Sequence, residues 1–345
     1  MTTNTFLRRY AVCVKQMLAL AAIGLSAGPA LACQFDCEGT EALPAYLSTN
    51  PTQRALGLGQ VNTISEAAKA GRGGVAGGAT AGLNITGLAG AAGGSRWNGW
   101  TALSSNSVAY GFAPLASDGT VNNLLAGFDY SFDSGALAGI SFGSDSSRTS
   151  TRFNAGSVNS RGYSVAPYFM MPFGSNWTLD GSIGFGSGNV DSNVGGGVGG
   201  STTERRSFGA LGLTYATMVG KWQLEANGGL LNSSSVQQQY RLSNATAVAA
   251  ATNSVTQVRA GWRATYGGAG NFAPYFGAAL SNDIDQTTVA AVGGQSPVNA
   301  RQAVTVQAGI SFNPGKKISG SIQVNSEFRE QIRNNGIVAT LSLKF

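Results

Sequence analysis

The sequence predicts an all-β protein: a twelve-stranded antiparallel transmembrane β-barrel of outer-membrane type, with a short N-terminal segment threading or plugging its lumen. Three observations carry the prediction. From Trp97 to Phe345, apolar and polar residues alternate with period two over stretches of about 9–13 residues. Twelve such stretches can be counted, an even number. The connections between them read alternately short and long, as in barrels with tight periplasmic turns and longer external loops. A Greek-key sandwich has no reason to alternate in this way.

Composition narrows the class in the same direction. Glycine makes up 50 of 345 residues, about twice the usual ~7%, and charged residues are 11%, against ~25% in an average soluble protein. Hydrophobic residues are 43% and the mean hydropathy is +0.02. Beyond the N-terminus no apolar run approaches the ~18 residues of a spanning helix. There is no histidine, which excludes His triads, His general bases and His metal sites. The expectation is a protein with no enzymatic activity, no metal and no cofactor.

Residues 1–32 read as a signal peptide. Arg8, Arg9 and Lys15 form a positive region, Met17 to Leu25 an apolar one, and Ala30-Leu31-Ala32 a small-x-small cleavage site before Cys33. Removing it takes away three of the 22 Lys/Arg and no acid, leaving 19 against 16, a net +3. A nucleic-acid partner thereby loses its electrostatic support. Cys33 and Cys37 remain. In an exported protein a C-x3-C pair most simply closes a small disulfide loop, with a lipid anchor on Cys33 or free thiols as the alternatives.

Three zones follow. Residues 33–70 are a short passenger-like or plug segment, in which Thr63 and Glu66 stand at capping-box spacing before a short helix that Gly71 ends. Residues 71–96 have the Gly/Ala composition of a flexible linker. Residues 97–345 are the barrel. Within it Leu124, Ala126, Phe128, Tyr130 and Phe132 share one face, with Asp129 on the other. Trp177, Leu179, Ile183 and Phe185 oppose Asp180, and Trp222, Leu224, Ala226 and Leu230 oppose Glu225 and Asn227. Val258, Ala260, Trp262 and Tyr266 oppose Arg259 and Arg263, while Ile322, Val324 and Phe328 oppose Glu327. The closing strand sets Ile337, Ala339, Leu341, Leu343 and Phe345 against Lys344.

Short connections are expected at 133–134, 173–176, 219–221, 267–271 and 313–315. Long ones are expected at 104–120, 145–158, 187–204, 233–252 and 282–299, with an intermediate one at 329–335. Every charge just named lies on the polar face of its strand. On the lipid face an Arg or Lys would cost about 2–4 kcal/mol at mid-membrane. Asp129, Asp180, Glu225, Asn227, Arg259, Arg263 and Glu327 are therefore lumen-facing candidates, with the arginines paired to Asp180 or Glu225. Trp177 and Trp222 each follow a short turn, which places both in a periplasmic aromatic girdle.

On these residues the chain resembles the C-terminal translocator domain of autotransporter (type V secretion) proteins. The resemblance rests on Gly162-Tyr163-Ser164-Val165-Ala166-Pro167-Tyr168, on Trp177 through Gly186, on the Leu125 to Tyr130 strand, and on the closing Leu341-Ser342-Leu343-Lys344-Phe345. It covers about 97–345. It implies a barrel in the outer membrane of a Gram-negative bacterium, with the lipid bilayer and the barrel-assembly machinery as its partners. The machinery reads a C-terminal signal of the type Leu341, Leu343, Phe345. A monomeric barrel is expected. It also implies a segment crossing the pore, for which 71–96 in extended form is long enough and too glycine-rich for a helix. Only about 60 residues precede the barrel after Cys33, too few for a β-solenoid passenger.

Other chemistry is weak. Gly195 to Gly200 precedes no helix and reads as a loop, not a dinucleotide fingerprint. Self-cleavage, used in some of this family through lumenal Asn and acidic residues, would draw on Asn227 and Glu225, but solvated pore lining is the plainer reading. Three functions stand: a translocator and anchor placing a short N-terminal segment at the cell surface, a passive or structural barrel with a plugged lumen, or a secreted soluble all-β binding protein.

Overall fold

A computed structural model of the chain describes residues 51–71 and 96–345, apart from 113–114, 153, 288–299 and 314–316. The expected signal peptide, Cys33, Cys37 and residues 72–95 of the glycine-rich stretch lie outside the described residues.

One helix, α1 (Pro51–Gly71), precedes the strands β1 (Trp97–Tyr110), β2 (Ser117–Ser131), β3 (Leu137–Thr151), β4 (Ser157–Phe173), β5 (Trp177–Asn193), β6 (Gly199–Val219) and β7 (Trp222–Gln237). A small hairpin, β8 (Tyr240–Arg241) and β9 (Ala247–Val248), leads to β10 (Ala251–Tyr266), β11 (Phe272–Gln286), β12 (Gln302–Phe312), β13 (Ile318–Arg329) and β14 (Ile332–Lys344). All but β8 and β9 close into one barrel of twelve antiparallel strands, each paired with its neighbour in sequence. The seam pairs β1 with β14 from Asn98↔Lys344 to Tyr110↔Ile332. Closure leaves no unpaired strand edge in lipid, where a bare N–H or C=O has no water to bond.

The alternation reads through into two chemically different faces. Leu124, Phe128, Ile183, Phe185, Leu224, Val258, Ile322, Leu341 and Leu343 are exposed on the outside, while Asp129, Asp180 and Gln223 are buried inside. This inversion of the usual globular pattern is what a bilayer selects: apolar residues out, polar residues in. Trp177 and Trp222 open their strands at the turn end of the barrel. Trp177 packs on Phe173 and Tyr215 (ring centroids 6.3 and 5.0 Å), and Trp222 on Tyr266 and Phe276 (5.1 and 6.1 Å). Trp97 continues the girdle, stacked on Phe128 at 4.6 Å.

The connections correct the expected lengths. The external ones run 111–116, 152–156, 194–198, 238–250, 287–301 and 330–331, so three of the six are no longer than the longest periplasmic turns among 132–136, 174–176, 220–221, 267–271 and 313–317. The strands continue past the lipid band. There both faces meet water, so the apolar alternation fades while the backbone ladder goes on.

The helix corrects a second expectation. Thr63 does not cap an N-terminus. It lies in mid-helix, and its hydroxyl donates back to the Gly59 carbonyl at 2.7 Å. The helix begins twelve residues earlier, at Pro51, where a proline's fixed φ and missing N–H suit the first turn. It ends at Gly71, and at ~1.5 Å per residue its 21 residues span about 31 Å. A helix over 51–71 thus lies in the pore, while residues 72–95 of the segment expected to cross it lie outside the described residues.

Candidate functional site

The functional feature of the fold is the lumen and the helix inside it. Leu56 and Ile64 are 1% exposed, and Leu58 and Ile64 join Trp100, Leu125, Ala166, Met170, Phe208 and Leu231 in one core within the barrel. Each fully buried aliphatic side chain contributes about 1.5–3 kcal/mol. Gly57 allows the close approach to β7, since a Cβ there would stand 1.9 Å from Ser233 Oγ.

Three polar clusters tie the helix to the wall at three heights. Nearest the external end, Arg54 pairs with Asp283 and donates to Gln286 Oε1 at 3.0 Å. Asp283 is fully buried; it also pairs with Arg329 at 2.9 Å and accepts from Gln257 at 2.9 Å. Arg329 in turn meets Glu327 at 3.0 Å. In the middle, Gln60 Nε2 donates to Asp145 at 3.0 Å, and Asp145 accepts from Arg206 at 2.5 Å. Arg206 also pairs with Glu204, and Ser160 bonds both of them. Asn62 Oδ1 accepts from Arg259 at 3.2 Å. Nearest the periplasm, Arg263 joins Glu66 (2.9 Å) and Glu225 (2.7 Å) and lies 5.3 Å over the Tyr275 ring. Ser65 there donates to Asp180 at 3.2 Å.

Buried ion pairs of this kind act more through what happens when one partner is lost than through their net gain. They define the depth and rotation of the helix, because the polar groups of α1 meet their wall partners at successive heights.

Of the residues singled out in sequence, Arg263 and Glu225 meet each other, whereas Arg259 meets Asn62 of the helix and Asp180 meets Ser65. Asp129 belongs to a separate inner network, accepting from Tyr168 (2.8 Å) and Asn98 (3.1 Å), with Trp100 donating to Tyr168 at 2.6 Å. Asn227 is half-buried and pairs across the ladder with Thr214 and Gly261. Leu341 and Leu343 are on the lipid face, and the Phe345 amide donates to the Trp97 carbonyl at 3.2 Å. Sequence reading missed Asp283, Arg329, Asp145, Glu204 and Arg206, although each has the inward parity of its strand.

The outer mouth carries a further closure. Leu115, from the β1–β2 connection, is fully buried against Tyr110, Val158 and Val190. Beside α1, on the side of β1 and β12–β14, a polar cavity of about 110 Å³ is lined by residues such as Asn106, Gln307, Gln323, Asn325 and Asn334. Gly195, Gly196 and Gly197 take positive φ in a tight external turn, as a loop requires.

A closed twelve-stranded barrel with an apolar exterior, a charged interior and a helix held along its axis is an outer-membrane pore protein with an occupied lumen. The autotransporter beta-domain family matches residues 98–325, and the chain belongs to that family. It is a non-enzymatic translocator of the Gram-negative outer membrane. Among solved structures it is similar to the translocator domain of the autotransporter NalP from Neisseria meningitidis, with 12% identity and a TM-score of 0.66, covering 87% of this chain and 99% of that one. The beta domain of the Bordetella autotransporter BrkA gives 18% identity and a TM-score of 0.63 over 72% of this chain and all of that one. The transport unit of AIDA-I from Escherichia coli gives 16% and 0.57, over 82% and 98%. No curated protein matches the sequence.

Proposed function

We propose that this translocator displays residues 33–50 as a minimal exported segment and that α1, which follows it, is retained in the pore. The observation that carries the reading is the direction of the helix. Its N-terminal Arg54 meets Asp283 and Gln286 at the external ends of the wall, and its Ser65 and Glu66 meet Asp180 and Arg263 toward the periplasm. Pro51 is therefore the end of the helix turned toward the external mouth. Residues 72–95 then join the helix to β1, which starts on the periplasmic side.

In this reading residues 1–32 are removed between Ala32 and Cys33, and Cys33 and Cys37 form a disulfide after export. The barrel works as a monomer. Leu341, Leu343 and Phe345 are the signal for the barrel-assembly machinery, so deleting Phe345 lowers outer-membrane levels several-fold. Of the lumenal groups, Asp180, Arg259 and Arg263, with Glu225 behind it, position the helix, while Asp129, Asn227 and Glu327 line the pore.

The deciding experiment is protease or tag accessibility of residues 33–50 in intact cells. Cleavage without permeabilisation is the expected result. Protection in intact cells with cleavage after permeabilisation would make the segment an internal plug of a structural barrel.

A further inference from the structure

We propose that the outward face of β3–β6, just above the apolar band, is a binding site for the phosphate groups of an outer-leaflet glycolipid. Three arginines form it: Arg148 on β3, Arg161 on β4 and Arg205 on β6. All three are exposed and on the lipid-side parity of their strands. Among the described residues none of them is in an ion pair. The nearby Arg152 does have one, with Asp118 at 2.5 Å, so cations of this rim pair where an acid is within reach.

Register places the three at one height. The paired row Ala126–Phe142–Val165–Phe185–Ser207–Ser234 starts apolar and ends in serines, so rows climb out of the lipid from β2 toward β7. With strands ~4.8 Å apart and tilted by about 40°, a row rises roughly 3 Å per strand, and two residues along a strand change the height by roughly 5 Å. Arg161 pairs with Ser146, two residues below Arg148 and one strand on. Arg205 pairs with Ser187, which pairs with Tyr163, two residues below Arg161, so it lies two strands on. The rise and the drop nearly cancel in both steps. The three guanidinium groups therefore form an arc level within roughly 2 Å.

Directly under the arc stands Tyr163, the most exposed large side chain of the outer wall at 69%. An amphipathic ring there marks the lipid–water boundary. Cations one step above such a ring are at headgroup depth, and a guanidinium is the side chain best matched to phosphate oxygens. The one acid on this stretch of the face is Asp191 on β5, which sits higher and accepts from Ser201 at 2.6 Å.

The test titrates the folded full-length protein in zwitterionic detergent with bisphosphorylated lipid A, with the same lipid stripped of phosphate, and with inorganic phosphate. Binding is followed by the rise in the temperature at which the compact form on gels is lost. Only the phosphorylated lipid is expected to raise it. The apparent affinity should fall about fivefold for each of R148Q, R161Q and R205Q, and stay unchanged in R241Q. Equal response to the dephosphorylated lipid or to inorganic phosphate overturns the proposal, as does wild-type affinity in the triple variant. The wild-type titrations decide the matter even where the triple variant does not fold.

Discussion

The two sides of the lumen hold the same helix by different means. Toward β2–β7, Leu58 and Ile64 are buried against Leu125, Ala166, Met170, Phe208 and Leu231. Toward β12–β14 and the upper part of β1, the helix faces a cavity lined with Asn, Gln and Ser side chains. Burial on one side supplies non-directional stability. Polar groups on the other keep a surface that a hydrated chain can pass. A pore apolar all round would trap any segment that entered it, and one polar all round would not retain this helix.

That contrast can be tested at four points of decreasing effect. Asp283→Ala should act most strongly, because at a fully buried point it removes the ion pair of Arg54 and leaves Arg329 with Glu327 alone. A loss of about 3–5 kcal/mol is expected, read as a lower urea midpoint of the barrel refolded in vesicles. If Asp283→Ala and Asp283→Asn both unfold at the wild-type midpoint, the external cluster does not hold the helix. Ile64→Ala removes the apolar anchor and should cost about 2–4 kcal/mol. It should also raise the ion conductance of single barrels in planar bilayers as the helix loosens; wild-type conductance and stability would place the helix's hold entirely in its polar contacts. On the outside, Ile183→Arg puts a cation on the lipid face at about 2–4 kcal/mol, whereas Asn325→Arg faces the polar cavity and should fold normally. Equal yields of heat-modifiable barrel from these two would mean the faces are misassigned. Asn62→Ala, which gives up one bond to the part-buried Arg259 guanidinium, should cost about 1.5 kcal/mol, the least of the four. A larger loss would show that the polar side is more than a solvated gap.

The barrel was legible in the sequence because a bilayer enforces period two on every strand that crosses it. Leu124 through Phe132 and Ile337 through Phe345 carry an apolar residue at every outward position. What escaped lies where the bilayer no longer dictates it. Asp145, Glu204, Asp283 and Arg329 all fall in stretches read as loops, since both faces there are polar, yet β3, β6, β11 and β13 run on through them. The most highly charged contacts of the lumen were lost with those strand ends. The helix escaped for a related reason. Its buried face runs Thr52, Leu56, Gln60, Ile64 at a spacing of four, but every second member is polar and bonds the wall or lies against it, and Leu58 is buried on another side, so no apolar stripe shows in the sequence. Helix formation here is dictated by the enclosure and not by an apolar stripe.

Strand length varies systematically around the ring. β6 has 21 residues and β4 and β5 have 17 each, whereas β12, β13 and β14 have 11, 12 and 13. At ~3.3 Å per residue and a tilt near 40°, the β6 side stands roughly twice as tall as the β12 side. The mouth of the barrel is therefore cut on a slant, like the lip of a jug. Pro51 and Arg54 line the cavity on the low side, next to Ile332 and Asn334 of β14. The outward end of the helix thus stands beside the short strands, and the wall that rises furthest beyond the lipid band is that of β4–β6.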